Sequence, residues 1–261
     1  MSDQRVGSEP FSLIHAPVAY LPPLKGEPYI EVLRRWHAAL SPATYFEIGL
    51  NRGESLALAN GKVIGIDPNL ADLSNVFPGK TACHLFQMTS DRFFRDHDPR
   101  AILGAEVDMA FLDGLHLFEF LLRDFINIEA SCRPNSIVAL HDCLPVDIHI
   151  ASRRDDPTHR KEHSTQPGWW AGDVWKIVPV LRKYRPDIKI LTLDASPTGL
   201  VFLTNLDPSS RLLRSEYFNI CDEFSHIELV EYGLDRLFEE ADIRSTSEFS
   251  SFHDIARFFW L

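Results

Sequence analysis

The chain has 261 residues, 45% of them hydrophobic, and 37 acidic against 26 basic side chains give a formal net charge of -11. This suits one large soluble domain with terminal additions. No apolar run approaches the roughly 18 residues that span a bilayer, and nucleic-acid binding needs a basic face that this balance does not supply. The basic cluster Arg153, Arg154, His159, Arg160 and Lys161 reads as a solvated loop. Neither nucleic acid nor membrane is expected as a partner.

Residues 1–27 are Pro-rich and aperiodic, an irregular leader. Met1 to Pro10 is polar and lacks the apolar core of an export signal. Cys83, Cys132, Cys143 and Cys221 are scattered without CxxC spacing, so reduced thiols in the cytoplasm are expected. Ile30, Val32, Leu33, Trp36 and Leu40 fall on one helical face, and Pro42 breaks the pattern. Residues 1–40 are therefore a leader and a helix.

Strands and helices then alternate through 41–206. Strands are expected at 43–49, 62–67, 82–87, 107–113 and 136–141, with helices from about 53, from about 91 and over 117–130. Such alternation predicts an α/β fold with a mostly parallel sheet covered on both faces. The segment 143–172 breaks it with Pro145, Pro157, Pro167 and Gly168. It also carries His149, His159, His163 and the pair Trp169-Trp170. It reads as a lid loop over the end of the fifth strand. A helix at 173–184, with Asp173 as N-cap, precedes strands at 188–193 and 200–205 around the turn Pro197-Thr198-Gly199. The short connection makes the last strand antiparallel.

The whole is a Rossmann-like, doubly wound, mostly parallel seven-stranded sheet. Residues 207–261 form a C-terminal extension of two or three helices. Phe249, Phe252, Phe258, Phe259 and Trp260 are more apolar surface than a monomer hides easily, so a homodimer or larger is expected.

Polar residues at the carboxyl ends of successive strands mark the site of such a sheet. Gly49 and Gly53 flank the turn after the first strand, where glycine lets backbone approach a ligand. The dinucleotide fingerprint G-x-G-x-x-G is absent, because Asn51 holds its middle position. Asp67 ends the second strand, where a carboxylate accepts from ribose hydroxyls. Asp113, His141 and Asp142 end the neighbouring fourth and fifth strands, about 4.8 Å apart. Oxygen-rich ligation with one imidazole suits Mg²⁺ or Mn²⁺. Cys143, beside that pair, reads as a packing residue.

Glu47-Ile48-Gly49 with Gly53 and Ser55, then Gly65-Ile66-Asp67, resembles the first two motifs of class I S-adenosylmethionine-dependent methyltransferases. Gln87-Met88-Thr89-Ser90-Asp91 falls where that fold touches the adenine. The resemblance implies a cofactor site of Glu47, Gly49, Asn51, Gly53, Ser55, Asp67, Pro68, Gln87, Met88, Thr89, Ser90 and Asp113. The stretch Asp108 to Asp113, through Arg123-Asp124-Phe125, to Leu140-His141-Asp142 resembles the metal-dependent O-methyltransferases. Those include catechol enzymes and a bacterial group acting on sugars of antibiotics. This implies Asp113, His141 and Asp142 as metal ligands, with His116 as the base that deprotonates a small-molecule hydroxyl. Asp113, His116 and His141 are thus the catalytic candidates. The resemblance spans residues 41–205. A non-catalytic S-adenosylmethionine-binding scaffold and another Rossmann-type nucleotide-cofactor enzyme remain as alternatives.

Overall fold

The computed structural model of the protein describes residues 18–70 and 73–259. Most of the leader and Trp260 lie outside them. The chain begins with α1 (Tyr29–Leu40), β1 (Thr44–Ile48), β2 (Lys62–Ile66) and β3 (Ala82–Phe86). Next come α2 (Ser90–Asp96), α3 (Pro99–Leu103), β4 (Val107–Leu112), α4 (Phe118–Glu129) and β5 (Cys132–His141). Then follow α5 (Pro157–His163), α6 (Ile177–Tyr184), β6 (Lys189–Leu193) and β7 (Leu200–Thr204). The tail holds α7 (Leu212–Ser215), α8 (Tyr217–Phe224), α9 (Leu229–Tyr232), α10 (Leu234–Ala241), β8 (Ile243–Arg244) and α11 (Phe252–Phe258).

The sheet order is β3-β2-β1-β4-β5-β7-β6-β8. Strands β1 to β5 pair in parallel, and β7 runs antiparallel to both β5 and β6. The direction of strand succession reverses between β1 and β4, which opens a crevice above their carboxyl ends.

The strands are buried on both faces, and alternate residues join opposite cores. In β5, Val138 and Leu140 join the core under α2, α3, α4 and α6, while Ile137 and Ala139 join the core on the opposite face. The second core is closed by α1 and α11. Trp36 stacks on Phe202 at 3.8 Å between ring centroids and 8° between planes, and Phe259 meets its edge at 5.3 Å. A third cluster seats α9 and α10 on Trp175.

Four expectations are corrected. Among the described residues the sheet has eight strands, because β8 adds to the edge beside β6; two residues are too few to show an alternating pattern. No α-helix follows β1, where Gly53 to Ala59 runs through turns and a 3₁₀ turn at Leu56–Leu58. Strand β5 starts at Cys132, since a register shift lets Val107 pair with Cys132 and Met109 with Ile137. The Ser136 hydroxyl fills that bulge by donating to the Val107 carbonyl at 2.6 Å. Among the described residues, the tail has five short α-helices instead of two or three. Of the apolar tail residues, Phe249 and Phe259 are buried in the chain's own core, Phe258 packs partly against it and Phe252 is exposed. No described helix is long and apolar enough to cross a membrane.

Candidate active site

A cavity of about 680 Å³ lies over the carboxyl ends of β1, β2, β4 and β5. It is built on a very close approach of two turns. Gly49 has φ +87°, and a Cβ on it would stand 1.9 Å from the Asp113 carbonyl oxygen. Only glycine fits there. The loop beyond it is tied to β2 by Asp67. One carboxylate oxygen accepts from the backbone N–H of Leu50 at 2.8 Å and of Asn51 at 3.3 Å, and the other from Asn69 at 2.7 Å. The oxygen that accepts from Asn69 keeps a lone pair for a ligand.

Gly49, Asn51, Asp67, Pro68, Met88, Thr89, Ser90 and Asp113 line this cavity as expected. Glu47, Gly53, Ser55 and Gln87 do not. Glu47 is fully buried beneath the loop, where it accepts from the Ser55 hydroxyl at 2.6 Å and the Tyr45 hydroxyl at 2.8 Å. Burial pushes the Glu47 carboxyl up to about 8, against the effect of those two hydrogen bonds. The pair ties the turn to the strand from below. Gly53 faces Val76 and Leu73, and Gln87 is exposed.

At the deeper end, Asp113, His141 and Asp142 each present a ligand atom, all within 4.8 Å of one another. The His141 Nδ1 is 3.4 Å from Asp113 and 3.6 Å from Asp142. Both His141 ring nitrogens are buried without a hydrogen-bond partner. A buried polar atom left unpaired is costly, so this donor set fits a bound cation. Asp142 sits in the left-handed region at φ +61°, which a short polar side chain tolerates. Thr198, in the turn between β6 and β7, donates to one of its oxygens. The other faces the cluster.

His116 completes the group. Its Nε2 lies 3.4 Å from Asp113 and 3.3 Å from Asp142. Its Nδ1 is 2.7 Å from the Trp170 carbonyl, which can only accept, so Nδ1 carries the proton. Burial alone would lower the His116 pKa, but the Asp113 hydrogen bond and the charges of Asp142 and Asp113 push it up to about 9. Burial likewise opposes ionisation of Asp113, and the charge on His141 with the hydrogen bond from His116 outweighs it, holding Asp113 well below the usual carboxylate range. A cation at the cluster would reverse this field at His116.

The segment 143–172 supports His116. Gly172 has φ +60°, and a Cβ there would lie 1.8 Å from the His116 carbonyl oxygen. Asp173 does not cap its own helix. One of its oxygens accepts from the Phe118 N–H at 2.8 Å, at the start of α4. The other takes Lys176 at 2.7 Å and Arg153 at 2.5 Å. Trp169 and Trp170 line the cavity mouth. The segment is more built than a plain loop, because it contains α5.

Sequence reasoning gave no site role to Tyr29, Phe120, Asp124 and Thr198. The Tyr29 ring packs on His141 at 4.0 Å, a contact with no local signal. Phe120 and Asp124 share one face of α4 at a four-residue spacing that the sequence does show. Burial raises Asp124 to about 7.

No curated protein matches the chain at a significant level. Among solved structures, the chain is similar to a Podospora anserina methyltransferase bound to S-adenosylhomocysteine, at 14% identity, over 69% of this chain and 78% of that one, with a TM-score of 0.48. It is similar to a Bacillus cereus O-methyltransferase with the same ligand, at 13% identity, over 70% and 84%, with a TM-score of 0.49. It is also similar to a Streptomyces achromogenes O-methyltransferase of tomaymycin synthesis with S-adenosylmethionine, at 16% identity, over 70% and 82%, with a TM-score of 0.47. A family model described as a methyltransferase domain matches residues 46–143. That match runs from β1 to just past β5, over the strands that floor the cavity, so this stretch of the chain is similar to a methyltransferase domain.

Proposed function

We propose that the protein is an O-methyltransferase acting on a hydroxyl of a small sugar, glycoside or catechol-like molecule, assisted by Mg²⁺ or Mn²⁺ at Asp113, His141 and Asp142. The observation that carries this is the convergence of those three side chains with the His116 Nε2 at the bottom of one cavity. When bound, S-adenosylmethionine supplies an electrophilic methyl group, and the cation supplies charge that stabilises a deprotonated hydroxyl. His116 takes the hydroxyl proton at Nε2, while its Nδ1–H stays on the Trp170 carbonyl and fixes the ring. Asp67 accepts from ribose hydroxyls, and the Gly49 turn admits the cofactor backbone-close. Trp169 and Trp170 exclude water and stack on the acceptor.

A panel of sugars and catechols with S-adenosylmethionine and Mg²⁺ tests the reading. S-adenosylhomocysteine should form with a hydroxyl acceptor and not with its methyl ether. Product formed only with amine or thiol acceptors would overturn it.

Asp67→Ala should weaken S-adenosylmethionine binding by about 1–3 kcal/mol, the cost of losing hydrogen bonds to a charged acceptor. Asp67→Asn keeps one accepting oxygen and should lose less. Calorimetry on the folded variants reads this, and unchanged affinity in the alanine variant would remove Asp67 from the cofactor site.

A further inference from the structure

We infer that Tyr29, from the helix that precedes the sheet, is the positioning residue of the cation site: its ring fixes the His141 imidazole in the orientation that ligates. This rests on the cation site proposed above and adds to it a residue from outside the strand ends.

The need for such a residue comes from His141 itself. A ligating imidazole is usually aimed by its second ring nitrogen, which donates to a carboxylate or a carbonyl. His141 turns Nδ1 toward Asp113 and Asp142, at 3.4 and 3.6 Å. Its Nε2 is buried and has no hydrogen-bond partner among the described residues. The outer torsion of a histidine side chain is broad when nothing holds it. A ring free to turn has to be ordered when it binds an ion, and that ordering costs entropy. Packing is the remaining means of holding it.

The packing is aromatic and comes from two sides. The Tyr29 ring lies over the imidazole, with centroids 4.0 Å and planes 33° apart. Phe111, on β4, stands 6.2 Å from the imidazole at 56° and 6.4 Å from the Tyr29 ring at 26°. Ala139 is the register partner of Phe111, so Phe111 and His141 share one face of the sheet by the two-residue period of the strand. Tyr29 closes the group from outside. Turning His141 out of its present plane would drive its edge into the tyrosine ring.

Tyr29 is itself held. It is the first residue of α1, whose next turns are anchored by Val32, Leu33 and Trp36, all fully buried. Its N–H donates to the Ser196 carbonyl at 2.9 Å, and the Ser196 N–H donates to the Glu27 carbonyl at 3.0 Å. Two residues further on, Thr198 donates to Asp142. The turn between β6 and β7 thus holds one carboxylate of the cluster through a side chain. Through its backbone it also holds the ring that covers the imidazole. The two ligands are set before an ion arrives, and a preorganised site gains affinity because less freedom is lost on binding.

The test measures Mn²⁺ affinity on the full chain, by calorimetry and by the electron paramagnetic resonance signal of free Mn²⁺, with no acceptor and no turnover. Tyr29→Ala removes the ring and should weaken Mn²⁺ binding by about 10-fold or more, the scale of loss when a ligand's supporting partner is removed. Tyr29→Leu keeps apolar bulk without a flat face. It should also bind more weakly, and it carries the test if the alanine variant does not fold. Tyr29→Phe loses only the hydroxyl and should bind Mn²⁺ as the wild type does, a rescue that separates positioning from damage to the fold. Mn²⁺ should also raise the melting temperature of the variants without the ring less than that of the wild type, since stabilisation follows the ratio of free ion to Kd. Wild-type Mn²⁺ affinity in the folded variants without the ring would overturn the role of Tyr29 and leave the cation site standing. Tyr29→Phe as weak as Tyr29→Ala would assign the effect to the hydroxyl and overturn the ring packing. A wild type that binds no Mn²⁺ would overturn the cation site and this inference with it.

Discussion

Chelation with EDTA should abolish methyl transfer, and Mg²⁺ or Mn²⁺ should restore it. The expectation rests on what the acidic cluster lacks. His141 has two buried ring nitrogens without partners, between two carboxylates, one of which is already held by Thr198. Without a cation, the local balance is kept by protons on the histidines. With one, the same oxygens become ligands and the proton on His116 is no longer favoured. Protons and cation thus compete for the site, because an imidazole must be neutral to ligate. Half-activation should require more Mn²⁺ at about pH 6 than at about pH 8. Asp142→Asn should weaken activation and leave S-adenosylmethionine affinity nearly intact, since Asp67 and the Gly49 turn lie on other strands. Turnover indifferent to chelator would leave Asp113, His141 and Asp142 as an ion-pair network without a metal.

The second large effect is expected at His116. Replacing it with alanine should lower kcat by about 10²–10⁴, the usual loss on removing a general base. Cofactor affinity should stay near that of the wild type. The imidazole is held through its Nδ1 by Trp170 and through its carbonyl by the Asp173 N–H at 3.2 Å. A base so fixed needs no reorganisation before proton transfer. Asp173→Asn should act in the same direction more weakly, because the Asn side chain still caps Phe118 and loses the ion pairs to Lys176 and Arg153. Single-turnover rates separate this from slow product release. His116→Ala with near-normal kcat would move the proton to bulk water.

The strand ends that carry the site were legible because they combine two local signals. Each is an apolar run, and each stops at a residue that a buried strand would not choose: Gly49, Asp67, Asp113 and His141. Parallel pairing then brings them together, since β1 lies between β2 and β4 and β5 lies beside β4. What failed to show was set by non-local packing. Glu47 and Ser55 belong to a family-like motif, yet their side chains point beneath the loop and meet each other. Asp173 reads as an N-cap from its place before a helix, but the N–H it accepts belongs to Phe118. β8 gains its strand character only from β6. Tyr29 reaches His141 because α1 closes the sheet face, and nothing around position 29 announces it.

The boundaries drawn on the sequence at 40 and 206 mark changes of pattern rather than separable parts. Trp36, before the first boundary, lies flat on Phe202, inside the second, and Phe259, beyond it, covers the indole edge. The Glu27 N–H donates to the Thr246 hydroxyl, joining leader and tail directly. Recombination that carried off only the central stretch would transplant a sheet with one bare face. The two flanks are thus obliged to travel with the module, and a graft onto another scaffold must supply a replacement for both at once.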